Sequence, residues 1–172
     1  MTRRSFITRG LFGGLLLAGA GGLGLGLWPT RAGWQPRGAL KVLNQRQFAV
    51  LAAVAARTVR APGADPQAIA ERVDATLAFT TDEARSDFGQ LLMLFENALA
   101  GLVLDGRPRP FTRLQPEEQD AVLDAWRESR LVLRRSGYQA LRKLTLAAHY
   151  SSPDTWPSVG YGGPPQISGV PT

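Results

Sequence analysis

The chain has 172 residues, with 20 Lys and Arg, 14 Asp and Glu, one His and no Cys, which is enough for one domain that closes its own core. The lack of cysteine excludes disulfide scaffolds, thiolate zinc sites, Cys-held iron–sulfur clusters and cysteine nucleophiles, and a single histidine leaves no His-cluster metal site and little room for Ser-His-Asp chemistry. The formal charge of +6 is no nucleic-acid signature: the first 32 residues hold Arg3, Arg4, Arg9 and Arg31 and no acid, and the rest carries 16 basic against 14 acidic residues.

The N-terminus reads as an address. Arg3 and Arg4, then polar Ser5 and apolar Phe6 and Ile7, have the layout of a twin-arginine export signal. An almost uncharged run follows from Gly10 to Trp28, in which eight of nineteen residues are glycine. Such a run is long enough to cross a bilayer, but glycine makes it a poor permanent anchor. Thr30-Arg31-Ala32 offers a cleavage site before Gly33; uncleaved, the same run is an anchor held by its arginines. Residues 1–32 are therefore set apart as the export segment.

From residue 33 to 150 the pattern is helical. Asn44 with Gln47 three later reads as a cap, and Phe48, Leu51, Val54, Ala55 and Val59 recur at helical spacing up to Pro62-Gly63. Asp65-Pro66 opens a second helix with Ile69, Val73 and Leu77 as a narrow apolar stripe. Thr80 and Glu83 resemble a capping box for a long third helix reaching about Leu104. Its stretch Leu91–Phe95, continuing through Leu99, Leu102 and Val103, is apolar on most sides, which suits the middle of a bundle or a surface kept for a partner. Pro116-Glu117-Glu118 starts a fourth helix, with Val122, Leu123 and Trp126 buried. A fifth runs from about Arg130 to His149, with Leu131, Tyr138, Leu141, Leu144 and Ala148 inward. With no β-alternation, the fold class is an all-α bundle of about five helices. The last segment, 151–172, has five prolines and four glycines beside Trp156, Val159, Tyr161 and Ile167. It reads as an extended strap that docks aromatics into grooves of this bundle or of another subunit.

Catalytic and metal-ligating constellations are thin, and no cofactor-binding set is visible. The carboxylate pairs Asp82/Glu83, Glu117/Glu118 and Asp120/Asp124 sit at helix starts or polar faces, where capping and solvation explain them. Glu96 interrupts the apolar third helix and needs a partner, for which an arginine of the fifth helix is the plain choice. His149 lies at the negative end of a helix dipole, where it packs or caps; a metal site needs companions the chain lacks. The Gly19–Gly24 run follows no strand and is no dinucleotide fingerprint. Arg127, Arg130, Arg134, Arg135, Arg142 and Lys143 form a basic face, read as solvated, with acidic protein or lipid contacts as the other uses.

The run from Leu146 to Pro164 resembles the signature of the gluconate 2-dehydrogenase subunit 3 family, in which a helix ends in Tyr-Tyr-Ser before Pro-x-Thr-Trp-x-x-Ile-Gly-Tyr-x-Gly-Pro. Tyr150, Ser151, Pro153, Thr155, Trp156, Gly160, Tyr161, Gly163 and Pro164 match, while His149 stands for the first tyrosine and Val159 for the isoleucine. Phe111–Glu118 and Trp126–Arg130 are similar to the family's central helices. The resemblance implies a non-catalytic small subunit that binds a large FAD-dependent flavoprotein of the glucose–methanol–choline type. FAD then belongs to the partner and not to this chain. It further implies that the folded complex leaves for the periplasm on the small subunit's leader through the twin-arginine translocase, and that a cytochrome c subunit or another acceptor takes the electrons. Tyr150, Trp156 and Tyr161 are the candidate anchors, since aromatics are enriched in interfaces; folding back onto the bundle is their other use. Two alternatives remain: a membrane-tethered binding or scaffold protein without a flavoprotein, and a hydrolase or lyase built on Glu96.

Overall fold

In the computed structural model, residues 33–97, 106 and 109–164 are described; the leader, the part of the expected third helix beyond Asn97 and the last eight residues lie outside them. The described residues form five α-helices, α1 (Gln45–Thr58), α2 (Pro66–Leu77), α3 (Asp82–Glu96), α4 (Pro116–Arg127) and α5 (Val132–Tyr150), with a 3-10 helix before α4 (Phe111–Arg113) and another after α5 (Pro153–Val159). Among the described residues there is no strand.

The starts of these helices follow local chemistry. Asn44 accepts from the Gln47 backbone N–H and Gln47 returns a bond to Asn44 N–H, a complete capping box. Asp65 caps α2 ahead of proline at the first helical position. For α3 the capping residue is Thr81 and not Thr80, whose hydroxyl instead donates back to the Leu77 carbonyl. Arg85 then covers the end of α2, donating to the carbonyls of Leu77, Ala78 and Thr80.

The central element is α1, not α3. Every residue from Phe48 to Ala55 is buried, and α1 packs against α2, α3, α4, α5 and the first 3-10 helix. Four of those eight are alanines (Ala49, Ala52, Ala53, Ala55), which lower the hydropathy signal but allow neighbouring helices to approach closely. In α3 one face (Phe88, Leu91, Leu92, Phe95) is buried while Met93 and Leu94 are half-buried, so its apolar run mainly supplies core. Phe95 meets Trp126 at 4.0 Å and Phe111 edge-on at 5.7 Å between ring centroids. The stripe of α2 and the buried set of α4 fall where the sequence puts them. Leu131 does not: it precedes α5 and is exposed.

Glu96 also departs from expectation. Its fully buried carboxylate accepts from Thr112 N–H at 3.0 Å and from Thr112 Oγ1 at 2.7 Å, so it anchors the first 3-10 helix and is not paired with an arginine of α5. Arg134 of α5 instead stacks over the Trp126 ring. Burial pushes the Glu96 carboxyl above its ordinary value of 4.5, outweighing the Thr112 bonds and the charges of Arg46 and Arg113. A raised carboxyl favours the folded state below the unfolded value, and that advantage is lost as pH rises through the folded one. The melting temperature of Glu96→Gln minus that of the wild type should therefore grow as pH is raised from about 4.5 to 7. A constant difference across this range refutes the assignment.

Residues 35–43, which the sequence leaves unassigned, are latched along α2. Gln67 donates to the Gln35 carbonyl, Glu71 accepts from Arg37 N–H and Asp65 pairs with the Arg37 guanidinium. Buried Asp74 then collects three consecutive backbone donors, Lys41 at 2.7 Å, Val42 at 3.0 Å and Leu43 at 2.7 Å. On the far side, Asp120 of α4 takes the Arg57 fork and Arg60, and the Arg57 bond holds its carboxyl below the usual range.

Candidate partner interface

The C-terminal end of α5 is where the sequence places its candidate anchors. A helix leaves its last four carbonyls without internal partners. Here the following segment serves each of them. Ser151 N–H bonds Ala147 O, Ser151 Oγ bonds Ala148 O, and His149 O accepts from Ser152 N–H and Thr155 Oγ1. The Trp156 indole N–H closes the set on Tyr150 O at 2.9 Å. Arg72, reaching from α2, adds a second donor to Ala148 O.

This arrangement corrects the expected extended strap over Pro153–Val159. Pro153 occupies the first turn, where no amide is missed, and Thr155 and Ser158 donate to nearby carbonyls, so a 3-10 helix forms despite Pro157. Gly160, at φ 68, ends it in a left-handed conformation that a side chain would strain. The chain then doubles back, and the Tyr161 ring meets Trp156 edge-on at 5.2 Å.

The three aromatics consequently differ. Trp156 is half-buried and its one polar atom is used internally, so it braces the cap. Tyr150 and Tyr161 stand 37% and 48% exposed, and Val159, which was not among the candidate anchors, 54%. Together they bring a short aromatic and aliphatic surface onto a scaffold in which the last four carbonyls of α5 all have partners. Behind it lies His149, buried, with its ring edge-on to Tyr150; burial, and then the nearby Arg72 charge, lower its pKa from the ordinary value and favour the neutral ring. Among the described residues no three His, Asp or Glu side chains gather into a metal-binding group. Glu96 is far from use as a general acid, being sealed from solvent.

Elsewhere, Phe79 in the α2–α3 turn and Val132 at the start of α5 are exposed apolar residues that the sequence does not single out, and Leu131, expected inward, is exposed beside Val132. A composition signal for them is absent, because each is apolar in a place where burial was the natural expectation. The leader residues Arg3, Arg4, Phe6 and Ile7 lie outside the described residues.

A family model described as gluconate 2-dehydrogenase subunit 3 matches residues 45–163, from the first residue of α1 to the glycine that faces the Trp156 ring. The chain belongs to that family. No curated protein and no solved structure matches it in the other two comparisons. The match to the gluconate 2-dehydrogenase subunit 3 family covers more than half of the chain, with the five described α-helices and the capped end inside it. The family's name describes a subunit, and so implies a dehydrogenase complex of several chains.

Proposed function

We propose that this chain is the non-catalytic small subunit of a periplasmic FAD-dependent dehydrogenase of the glucose–methanol–choline type. In this reading it binds the catalytic flavoprotein, supports its folding, and supplies the twin-arginine leader on which the folded pair is exported. FAD and the substrate site belong to the partner, and a cytochrome c subunit or another acceptor receives the electrons. The observation that supports it best is the exposed surface of Tyr150, Val159 and Tyr161 on a cap that needs no further hydrogen bonds. Aromatic side chains held rigidly in water lose little entropy when a partner covers them. Mutual folding support is consistent with a small chain whose charged groups are mostly engaged in holding its own helices.

The direct test is gentle purification of the C-terminally tagged chain from its native host, with a visible spectrum and identification of bound proteins. A yellow complex with one large partner that has no signal sequence is the expected result. A colourless, partnerless protein in the membrane fraction overturns the reading and favours the tethered scaffold. Export has its own test. Replacing Arg3→Lys together with Arg4→Lys should leave this chain and its partner in the cytoplasm, as read by fractionation and immunoblotting; periplasmic recovery of both rules out the twin-arginine route.

A further inference from the structure

The charge of the chain beyond its leader is segregated. Residues 33–128 hold 11 basic and 13 acidic residues, and residues 151–172 hold a single acid. The 22 residues from Ser129 to Tyr150 hold five basic residues and no acid. The positive excess is therefore the property of one helix and the turn that leads into it.

Not every cation there faces outward. Arg134 is buried on Trp126, and Arg127, just upstream, is committed to Asp124 and Glu128. Arg130, Arg135, Arg142 and Lys143 are exposed, and among the described residues none of the four has an ion pair. Val132, Arg135, Gln139, Arg142 and Lys143 follow the three- and four-residue steps of one helical stripe, and Arg130 lies just ahead of the helix. At its beginning two aliphatic side chains project into water, Leu131 at 55% and Val132 at 69% exposure. Arg130 precedes them, and Arg135 turns back to donate to the Ser129 carbonyl, which brings its guanidinium to the start of this segment. The first turn of α5 also presents the positive end of the helix dipole.

We infer that this stripe docks α5 along an anionic lipid surface, with Leu131 and Val132 entering the headgroup boundary and Arg130, Arg135, Arg142 and Lys143 against the lipid phosphates. An acidic protein is the weaker match. The stripe offers Ser136, Gln139 and Lys143 and, because Tyr138 is buried, no exposed aromatic between Val132 and Tyr150, whereas protein interfaces are depleted in lysine and built on aromatic anchors. An apolar tip on a cationic stripe needs no shape complementarity and suits a fluid charged surface. Val132 and Tyr150 are separated by about 27 Å of helix, so this contact and the aromatic end of α5 do not compete for the same residues.

Because the chain has no cysteine, a single Val132→Cys substitution in the full chain accepts one environment-sensitive fluorophore, with Ala84→Cys at the exposed start of α3 as the reference. Vesicles of phosphatidylglycerol and phosphatidylcholine should shift the label at position 132 to the blue and leave that at position 84 unchanged. Adding Arg142→Gln and Lys143→Gln, both exposed, should raise the lipid concentration at half-shift about thirtyfold, and high salt should act in the same direction. The proposal is overturned by no shift at position 132, by an equal shift with phosphatidylcholine alone, or by an equal response at both positions. A saturable shift at position 132 with polyglutamate in place of vesicles also overturns it, in favour of an acidic protein partner.

Discussion

Replacing Asp74→Ala should lower the stability of this protein by about 3–5 kcal/mol, a large share of what a domain of this size has. Three consecutive backbone N–H groups, those of Lys41, Val42 and Leu43, end on this one buried carboxylate. Each buried donor left without an acceptor costs about 1–3 kcal/mol, and the segment escapes part of that by swinging out to water. Swinging out forfeits the packing of Trp34, Leu40, Val42 and Leu43 on the core, so both responses are unfavourable. Asp74→Asn should fall about midway: one oxygen still serves Val42 and Leu43, but the amide N–H₂ faces the Lys41 donor. Denaturant unfolding measures the loss, and hydrogen exchange at residues 41–43 localises it. A change below about 1 kcal/mol for Asp74→Ala means that water replaces the latch without penalty.

The second large effect concerns recognition. Combining Tyr150→Ala with Tyr161→Ala should weaken capture of the flavoprotein roughly a thousandfold, if each aromatic contributes the ~2 kcal/mol of an interface anchor. Both rings are substantially exposed, and neither side chain holds the helix cap, which depends on Ser151, Thr155 and Trp156. The melting temperature of the free subunit should consequently move little. Binding measured by calorimetry or by co-purification yield separates this outcome from its opposite. Unchanged affinity with a lowered melting temperature makes the two tyrosines part of the chain's own packing.

The helices were readable because their signals are local. Asn44 with Gln47, Asp65 with Pro66, and Pro116 with its acids state where α1, α2 and α4 begin, and the structure places caps at those positions. What escaped depends on partners distant in sequence. Asp74 looks like one more polar residue on α2 until the backbone of 41–43 arrives from more than 30 residues away. Glu96 announced a need for a partner, but nothing local indicated that Thr112 supplies it. The centrality of α1 was hidden by its alanines, whereas the bulkier residues of α3 drew attention to a helix with only one buried face. At the C-terminus the residues of interest were legible and their division of labour was not. Proline content argued for an extended strap, while the 3-10 helix that forms there exists to serve the open carbonyls of α5. Tyr150 and Tyr161 remain on the surface, and Trp156 holds the segment that carries them.

The placement of α1 bears on the timing of folding during synthesis. It is the first helix of the bundle to leave the ribosome and the one that every later helix must cover. Thr58 at its end reaches its hydroxyl partner Thr145 only after 87 further residues have been added, which at usual elongation rates takes on the order of 5–20 s. During that interval the uninterrupted apolar face from Phe48 to Ala55 has at most part of its shelter. A nascent-chain chaperone therefore has its longest opportunity here, and closure of the bundle waits until α5 and its cap arrive together.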